Sequence, residues 1–306
     1  MLLGLDIGGT KSAALLGDQA GQVIARRQWP SEAARGPDAM LKQMNDEIAI
    51  LRREHPDAVE GIGVAVGGPL DMVHGIVHST PNLPGWVDVP LRALLEEAWR
   101  APVSVLHDAA ACALAESWWG AGIGCARVAY LTCGTGFGVG LVIDGKPYVG
   151  ARGASMEIGH VRYRPDGPTA FGVQGCYEAW CAGSSLPKLA AWKYPRVFRA
   201  GEWSGERLQQ AAANWDAEAR QILRLNAEAT GSACALLSDL LAPDVILLGS
   251  LARYLGDGWV ADVRKGFAAN ALARPGTGCR IAPAGLGERL QDMSALAAAR
   301  WADTAG

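Results

Sequence analysis

The sequence predicts an α/β protein of two related lobes, and three observations carry that prediction. Strand-like apolar runs alternate with segments whose apolar residues recur every three or four positions. A glycine-rich hairpin opens the chain over the first 25 residues, and a second occupies 127–148. Set side by side, GLDIGGTKSAALLGDQAGQV and YLTCGTGFGVGLVIDGKPYV look like two copies of one unit, one at the head of each half.

The elements follow in order. LLGLDIG and KSAALLGD read as strands joined by a turn, and QVIARRQW follows a glycine-containing turn. Leu41, Met44, Ile48 and Leu51 mark the apolar stripe of a helix that His55-Pro56 ends. GIGVAVGG and VSVLHD are short buried strands, and the pattern from Ala109 to Trp119 is helical. Residues 127–148 give a strand, a glycine-rich turn, a second strand and an Asp-Gly turn of the hairpin kind. A helical region spans roughly 205–242, DVILLGS reads as a buried parallel strand, and a closing helix carries Leu290, Met293, Leu296 and Trp301. The lobe border is expected near residue 117, giving a smaller N-terminal lobe of 1–116 and a larger one of 117–286. The last helix, 287–306, is expected to pack back on the first lobe.

Composition narrows the function. Of 306 residues half are apolar, enough for a sizeable core, and the formal charge of -3 with a pI near 6.0 gives no basic footprint for nucleic acid or an anionic membrane. A neutral or anionic small molecule is the expected partner. Seven scattered cysteines suit free thiols in a reducing compartment. Asp6 interrupts the apolar N-terminus well short of a signal-peptide core, and no run approaches a membrane span, so a cytoplasmic protein is expected.

Glycine turns can bind phosphate because successive backbone N–H groups converge on an anion. A tight hairpin alone would explain a single Gly-Gly; two in matched positions favour phosphate. Neither is a Rossmann fingerprint, since a strand follows each, and Thr10 stands where a Walker loop needs lysine. The pair resembles the two phosphate loops of the actin and sugar-kinase superfamily. That resemblance implies ATP held by Gly8, Gly9, Thr10 and Lys11 from one turn and Gly134, Thr135 and Gly136 from the other. It also implies Mg²⁺ held through water by Asp6.

Joined in order, LDIGGTK, GVAVGGPLD, TPNLPGW, LHDAAACALAE, LTCGTGFGVG, MEIGH and GCYEAW resemble the ROK family of sugar kinases and repressors over nearly the whole chain. The resemblance implies a two-lobed actin-like, hexokinase (ribonuclease H-like) fold with the active site in the cleft between lobes. It implies Asp108 as the catalytic base and a sugar site of Asn82, His107, Asp108, Glu157, His160 and Glu178, with Gly249 and Ser250 near the nucleotide. Paired sugar hydroxyls suit carboxylates as acceptors, and the proton leaves the attacking hydroxyl late, so the base needs position more than strength. Asp108 also stands where a helix N-cap would, and His160 where a core histidine would; the ordered motifs favour the catalytic reading.

Departures from the family pattern bear on the stretch 157–178. The family's C-x-C-G-x-x-G-C-x-E run gives three zinc-binding cysteines that join the histidine of E-x-G-H; here Thr169 and Phe171 fill the first two cysteine positions. Only His160 and Cys176 remain, too few for a closed four-coordinate site, so no structural zinc is expected and Phe171 is expected to pack where the metal would sit. His107 replaces the asparagine beside the catalytic Asp, and Met156 a glycine before the Glu.

The expected activity is ATP-dependent phosphorylation of a hexose or hexose-like sugar by a homodimer, with an amino sugar or cyclitol as other acceptors and polyphosphate as another donor. A catalytically impaired sugar-binding or regulatory relative is the alternative. A repressor is disfavoured because DIGGT begins at residue 6, leaving no room for a preceding winged helix.

Overall fold

Strands β1 (Leu2–Ile7) and β2 (Lys11–Gly17) are almost wholly buried and pair antiparallel, as the opening hairpin predicts. The computed structural model describes residues 1–273 and 278–305. After β3 (Val23–Pro30) come α1 (Pro37–Glu54), β4 (Gly61–Val66), a small β5–β6 ladder (Leu70–Asp71, Ile76–Val77), α2 (Leu91–Trp99), β7 (Val103–His107) and α3 (Asp108–Trp119). Then follow β8 (Arg127–Leu131), β9 (Val139–Ile143), β10 (Lys146–Pro147), β11 (Thr169–Ala170), β12 (Val173–Gln174), α4 (Tyr177–Cys181), α5 (Leu186–Lys193) and α6 (Gly205–Ala213). The chain continues through α7 (Ala217–Leu241), β13 (Val245–Leu248), α8 (Ser250–Asn270) and β14 (Arg280–Pro283) to α9 (Leu290–Ala305).

Two compact units result: 1–124 with 140–155 and the chain from Leu286 onward, and 125–139 with 156–285. In the first, one sheet runs β3-β2-β1-β4-β7, with β1, β4 and β7 parallel. Its helix α1 buries Met40, Met44, Ile48 and Leu51, so the stripe begins at Met40 while Leu41 is only partly covered. Helix α9 lies directly on β1 and β4: a Cβ on Gly4 would stand 2.9 Å from that of Ala295, and Ala295, Leu296 and Ala299 join Leu2 and Leu15 in one buried cluster. Side chains at Gly4 and Gly63 would lift the helix off the sheet. The fully buried Glu116 ties this arrangement, accepting the N–H of Ala121 at 2.7 Å and of Leu286 at 2.9 Å. Between β9 and β10, Asp144 and Gly145 both take positive φ (49° and 78°), as a two-residue type I′ turn needs.

In the second unit β8, β13 and β14 run parallel, with Val245 paired to Val128 on one side and Arg280 on the other. Helices α7 and α8 meet across buried Asn226, whose amide donates to the Trp180 carbonyl at 2.9 Å and accepts from Trp259 Nε1 at 2.9 Å. The helical region read as continuous over 205–242 is two helices: Trp215 takes φ 67° and Asp216 caps α7, its carboxylate accepting Ala219 N–H at 2.7 Å. Among the described residues no helix is long and apolar enough to cross a membrane.

Candidate active site

The expected site residues fall in both units. In the first, the parallel register puts Asp6, Ala65 and Leu106 in one row and Ile7, Val66 and His107 in the next, so β1, β4 and β7 end side by side. The carboxyl ends of parallel strands are where α/β proteins bind ligands. Asp6 is largely enclosed there; burial first, then the charges of Asp108 and Asp292, push its carboxyl up to about 7, against Lys11 and Arg26.

The turn after β1 is fixed in part by two serines that the sequence did not single out, Ser12 and Ser31. Gly8 N–H donates to Lys11 O at 3.2 Å, Ser31 Oγ to Gly8 O at 2.5 Å and Ser31 N–H to Thr10 O at 3.0 Å, with Ser12 Oγ 2.8 Å from Ser31 Oγ. Ser12 and Ser31 are buried hydroxyls facing each other from β2 and the end of β3, a pairing that no linear motif announces. Thr10 and Lys11 are exposed at the tip. Gly9 touches the loop that carries exposed Asn82: a Cβ there would stand 2.9 Å from Asn82 Cβ and nearer still to its carbonyl. Trp86, four residues on, is 1% exposed and belongs to the core.

His107 ends β7 and Asp108 begins α3. Asp108 Oδ1 accepts Ala109 N–H at 2.6 Å, which gives it some of the capping role while its side chain stays 51% exposed. His107 is 7% exposed; its Nδ1 lies 3.3 Å from Ala109 N and 3.2 Å from Asp108 Oδ1, and its Cδ2 edge faces Gly68. Its polar edge is thus engaged inside the protein, next to the carboxylate.

In the second unit the turn after β8 closes on itself: Thr132 N–H donates to Gly138 O at 3.1 Å, Gly138 N–H to Thr132 Oγ1 at 2.9 Å and Gly134 N–H to Gly136 O at 3.0 Å. Exposed Thr135 accepts Ser184 Oγ at 2.5 Å through its carbonyl. The start of α8 is stitched alongside, with Gly249 N–H to Leu131 O at 2.8 Å and Ser250 N–H to Thr132 O at 3.0 Å. Glu178, on α4, accepts Phe137 N–H at 3.1 Å from the end of the same turn. Burial raises its carboxyl above the usual range, the Phe137 N–H and His160 oppose that, and Glu157 adds to it. Glu178, His160 and Glu157 are therefore electrostatic neighbours, and His160 N–H donates to Glu157 O at 3.1 Å. Met156 bridges back to Val139 beside them.

Phe171, expected to fill an apolar space, is 50% exposed and lies on His160, with ring centroids 4.8 Å apart and planes 21° from parallel. The donor set in this stretch does not fit a structural zinc: Cys176 is buried with its Sγ towards the Ala170 carbonyl, and Thr169 and Phe171 offer no ligand. Among the described residues no group of three or more His, Cys, Asp or Glu is placed to hold a metal.

The chain matches the family model of the ROK family over residues 2–304. A glucokinase of Halalkalibacterium halodurans is 30% identical over 299 residues, covering 93% of this chain and 90% of the relative. Among solved structures, a ROK hexokinase from Thermus thermophilus superposes with a TM-score of 0.86 at 30% identity, covering 100% of this chain and 99% of that one. A ROK glucokinase from Streptomyces griseus, solved with glucose and AMPPNP, gives a TM-score of 0.80 at 28% identity, covering 98% and 99%.

Proposed function

The chain belongs to the ROK family, and we propose that it transfers the terminal phosphoryl group of ATP to a hydroxyl of a hexose or hexose-like sugar. The observation that carries this reading is the 3.1 Å hydrogen bond from Phe137 N–H to Glu178. It makes a glycine turn of phosphate-binding form and a sugar-side carboxylate one rigid piece.

In this reading Asn82, Glu157, His160 and Glu178 bind the sugar. Glu178 is held in a setting that disfavours its charge, so hydroxyl donors restore what burial removes. Asp108 takes the proton from the attacking hydroxyl as the bond to phosphorus forms, and the ADP oxygen leaves with the electron pair of the broken bond. One oxygen of Asp108 is already fixed by Ala109 N–H, which turns the half-exposed carboxylate in a defined direction. His107 works through Asp108, its buried Nδ1 only 3.2 Å from that carboxylate. Gly8, Gly9, Thr10 and Lys11, with Gly134, Thr135 and Gly136, receive the phosphates, and Gly249 and Ser250 border the nucleoside.

Asp6 fits a magnesium ion held through water, since burial and the charge of Asp108 outweigh Lys11 and Arg26 there and a cation would offset them. When bound, the ion spreads the charge of the phosphates. The resemblance extends the reading to a homodimer in the cytoplasm, and light scattering in solution checks the first of these.

The test is ADP release with Mg-ATP over hexoses, N-acetylated hexosamines, ketoses and cyclitols. Turnover on one of them supports the reading. Sugar binding without turnover on any would favour a regulatory sugar-binding protein, a reading to which the incomplete His160 and Cys176 donor set also points.

A further inference from the structure

Phe171 occupies a position its side chain does not favour. It sits with Gly172 in the two-residue turn between β11 and β12, whose inner pair is Ala170 and Val173. Both turn residues have positive φ, 49° at Phe171 and 74° at Gly172. Such a turn calls for Asn, Asp or Gly at its first position, and a bulky residue there is a steric outlier. The ring is also 50% exposed, so burial from water does not explain it. What the conformation achieves is contact: the phenyl ring stacks on His160 at 4.8 Å.

The hairpin is itself anchored to the backbone around His160. Tyr163 N–H and Arg164 N–H donate to Gly175 O at 2.8 and 3.0 Å, and Tyr177 N–H donates to Val161 O at 2.9 Å. The hairpin therefore carries Phe171 as a fixed arm, and the ring it meets belongs to a histidine beside Glu157 and Glu178. A local conformational cost kept by its surroundings at such a place points to function.

We propose that Phe171 is a positioning residue for sugar binding: its ring fixes the plane of the His160 imidazole, and this stack stands in for a metal ligand bond. A stack restrains the plane and leaves both ring nitrogens available for hydrogen bonds, whereas a metal bond would occupy one. The inference rests on the reading that His160 binds sugar.

The test uses Phe171→Asn, which suits the turn and removes the ring. In wild-type protein the ring current of Phe171 shields the His160 C–H protons; the variant moves those proton signals downfield, and unchanged signals would overturn the stack. Phe171→Asn is expected to raise the melting temperature or leave it unchanged, while weakening D-glucose binding about tenfold by calorimetry and leaving the KM for ATP within twofold. A variant that only damaged the fold would lower the melting temperature and both affinities together. Phe171→Tyr is expected to retain wild-type binding. His160→Ala separates the two claims. If it leaves sugar affinity unchanged, or wild-type protein binds neither D-glucose nor any other sugar of the panel, the sugar reading of His160 fails. If it weakens binding and Phe171→Asn does not, the positioning role of Phe171 fails.

Discussion

The carboxylates of Asp6 and Asp108 repel each other across the ends of β1 and β7, and that repulsion adds to burial in pushing Asp6 up to about 7. The folded chain therefore holds this proton more tightly than the unfolded chain, whose Asp6 titrates at the ordinary 3.8. The stability this gives is complete below about pH 4 and falls as pH rises to about 7, by at most about 4 kcal/mol. Without Mg-ATP, Asp6→Asn is expected to remove that slope and to melt higher than wild type at pH 8. If magnesium binds at Asp6 as proposed, adding Mg-ATP should narrow the gap, because only wild-type Asp6 offers the cation a carboxylate. Thermal melts of both proteins from pH 4 to 8 check this.

Removing the proposed base tests the chemistry separately from binding. Asp108→Ala is expected to lower kcat by about 10³, while D-glucose affinity by calorimetry stays within about threefold. Turnover retained at a tenth of wild type or more would remove Asp108 from the proton transfer.

The proposed function gives Glu178 two tasks, holding the Phe137 N–H and binding sugar, which two substitutions separate. Glu178→Gln keeps an oxygen to accept Phe137 N–H but loses the charge, so the sugar KM should rise about tenfold with the ATP KM unchanged. Glu178→Ala also releases the turn, so both KM values should rise. Steady-state kinetics with each substrate varied distinguish the two patterns.

Gly9 touches Asn82 closely enough that any side chain displaces one of them. Gly9→Ala is expected to raise the KM for both sugar and ATP by about tenfold, with a melting temperature within a few degrees of wild type. A change in the ATP KM alone would show that the Asn82 loop does not sense the turn.

Glu116 is the counterpart on the stability side. Glu116→Ala removes the carboxylate that accepts the part-buried Ala121 N–H and the buried Leu286 N–H, and about 3 kcal/mol of stability should be lost. Urea unfolding measures this, with sugar affinity of the folded fraction unchanged.

How much of this was legible in the sequence depended on the range of the interaction. The two hairpins, α1, α3 and α9 follow from local pattern, and Asp144-Gly145 gives the expected turn. Helix α8 and strand β14 were not read: Gly256 interrupts the one with φ 72°, and four residues are too few to show the other's period. The break at Trp215-Asp216 was legible in principle as an N-cap, but the helical composition on both sides masked it. At the site, ordered motifs named Asp108 and Glu178 but not the partners that hold them. Ser12 meets Ser31 through strand pairing, Glu178 meets Phe137 through a helix and a turn, and His160 meets Phe171 through the hairpin whose turn carries Phe171. Each is a contact of the folded chain, invisible to spacing.

The placement of α9 sets a timetable for biosynthesis. The strands it covers are made well before the helix, so β1 and β4 leave the ribosome long before residues 290–305 exist. Until then Leu2 and Leu15 have no cover from Ala295 and Leu296, and the notches at Gly4 and Gly63 stand empty. The first unit cannot close before α9 has been made, although domains commonly fold in order of synthesis. Its sheet keeps apolar surface uncovered while the 156–285 segment of the second unit is translated.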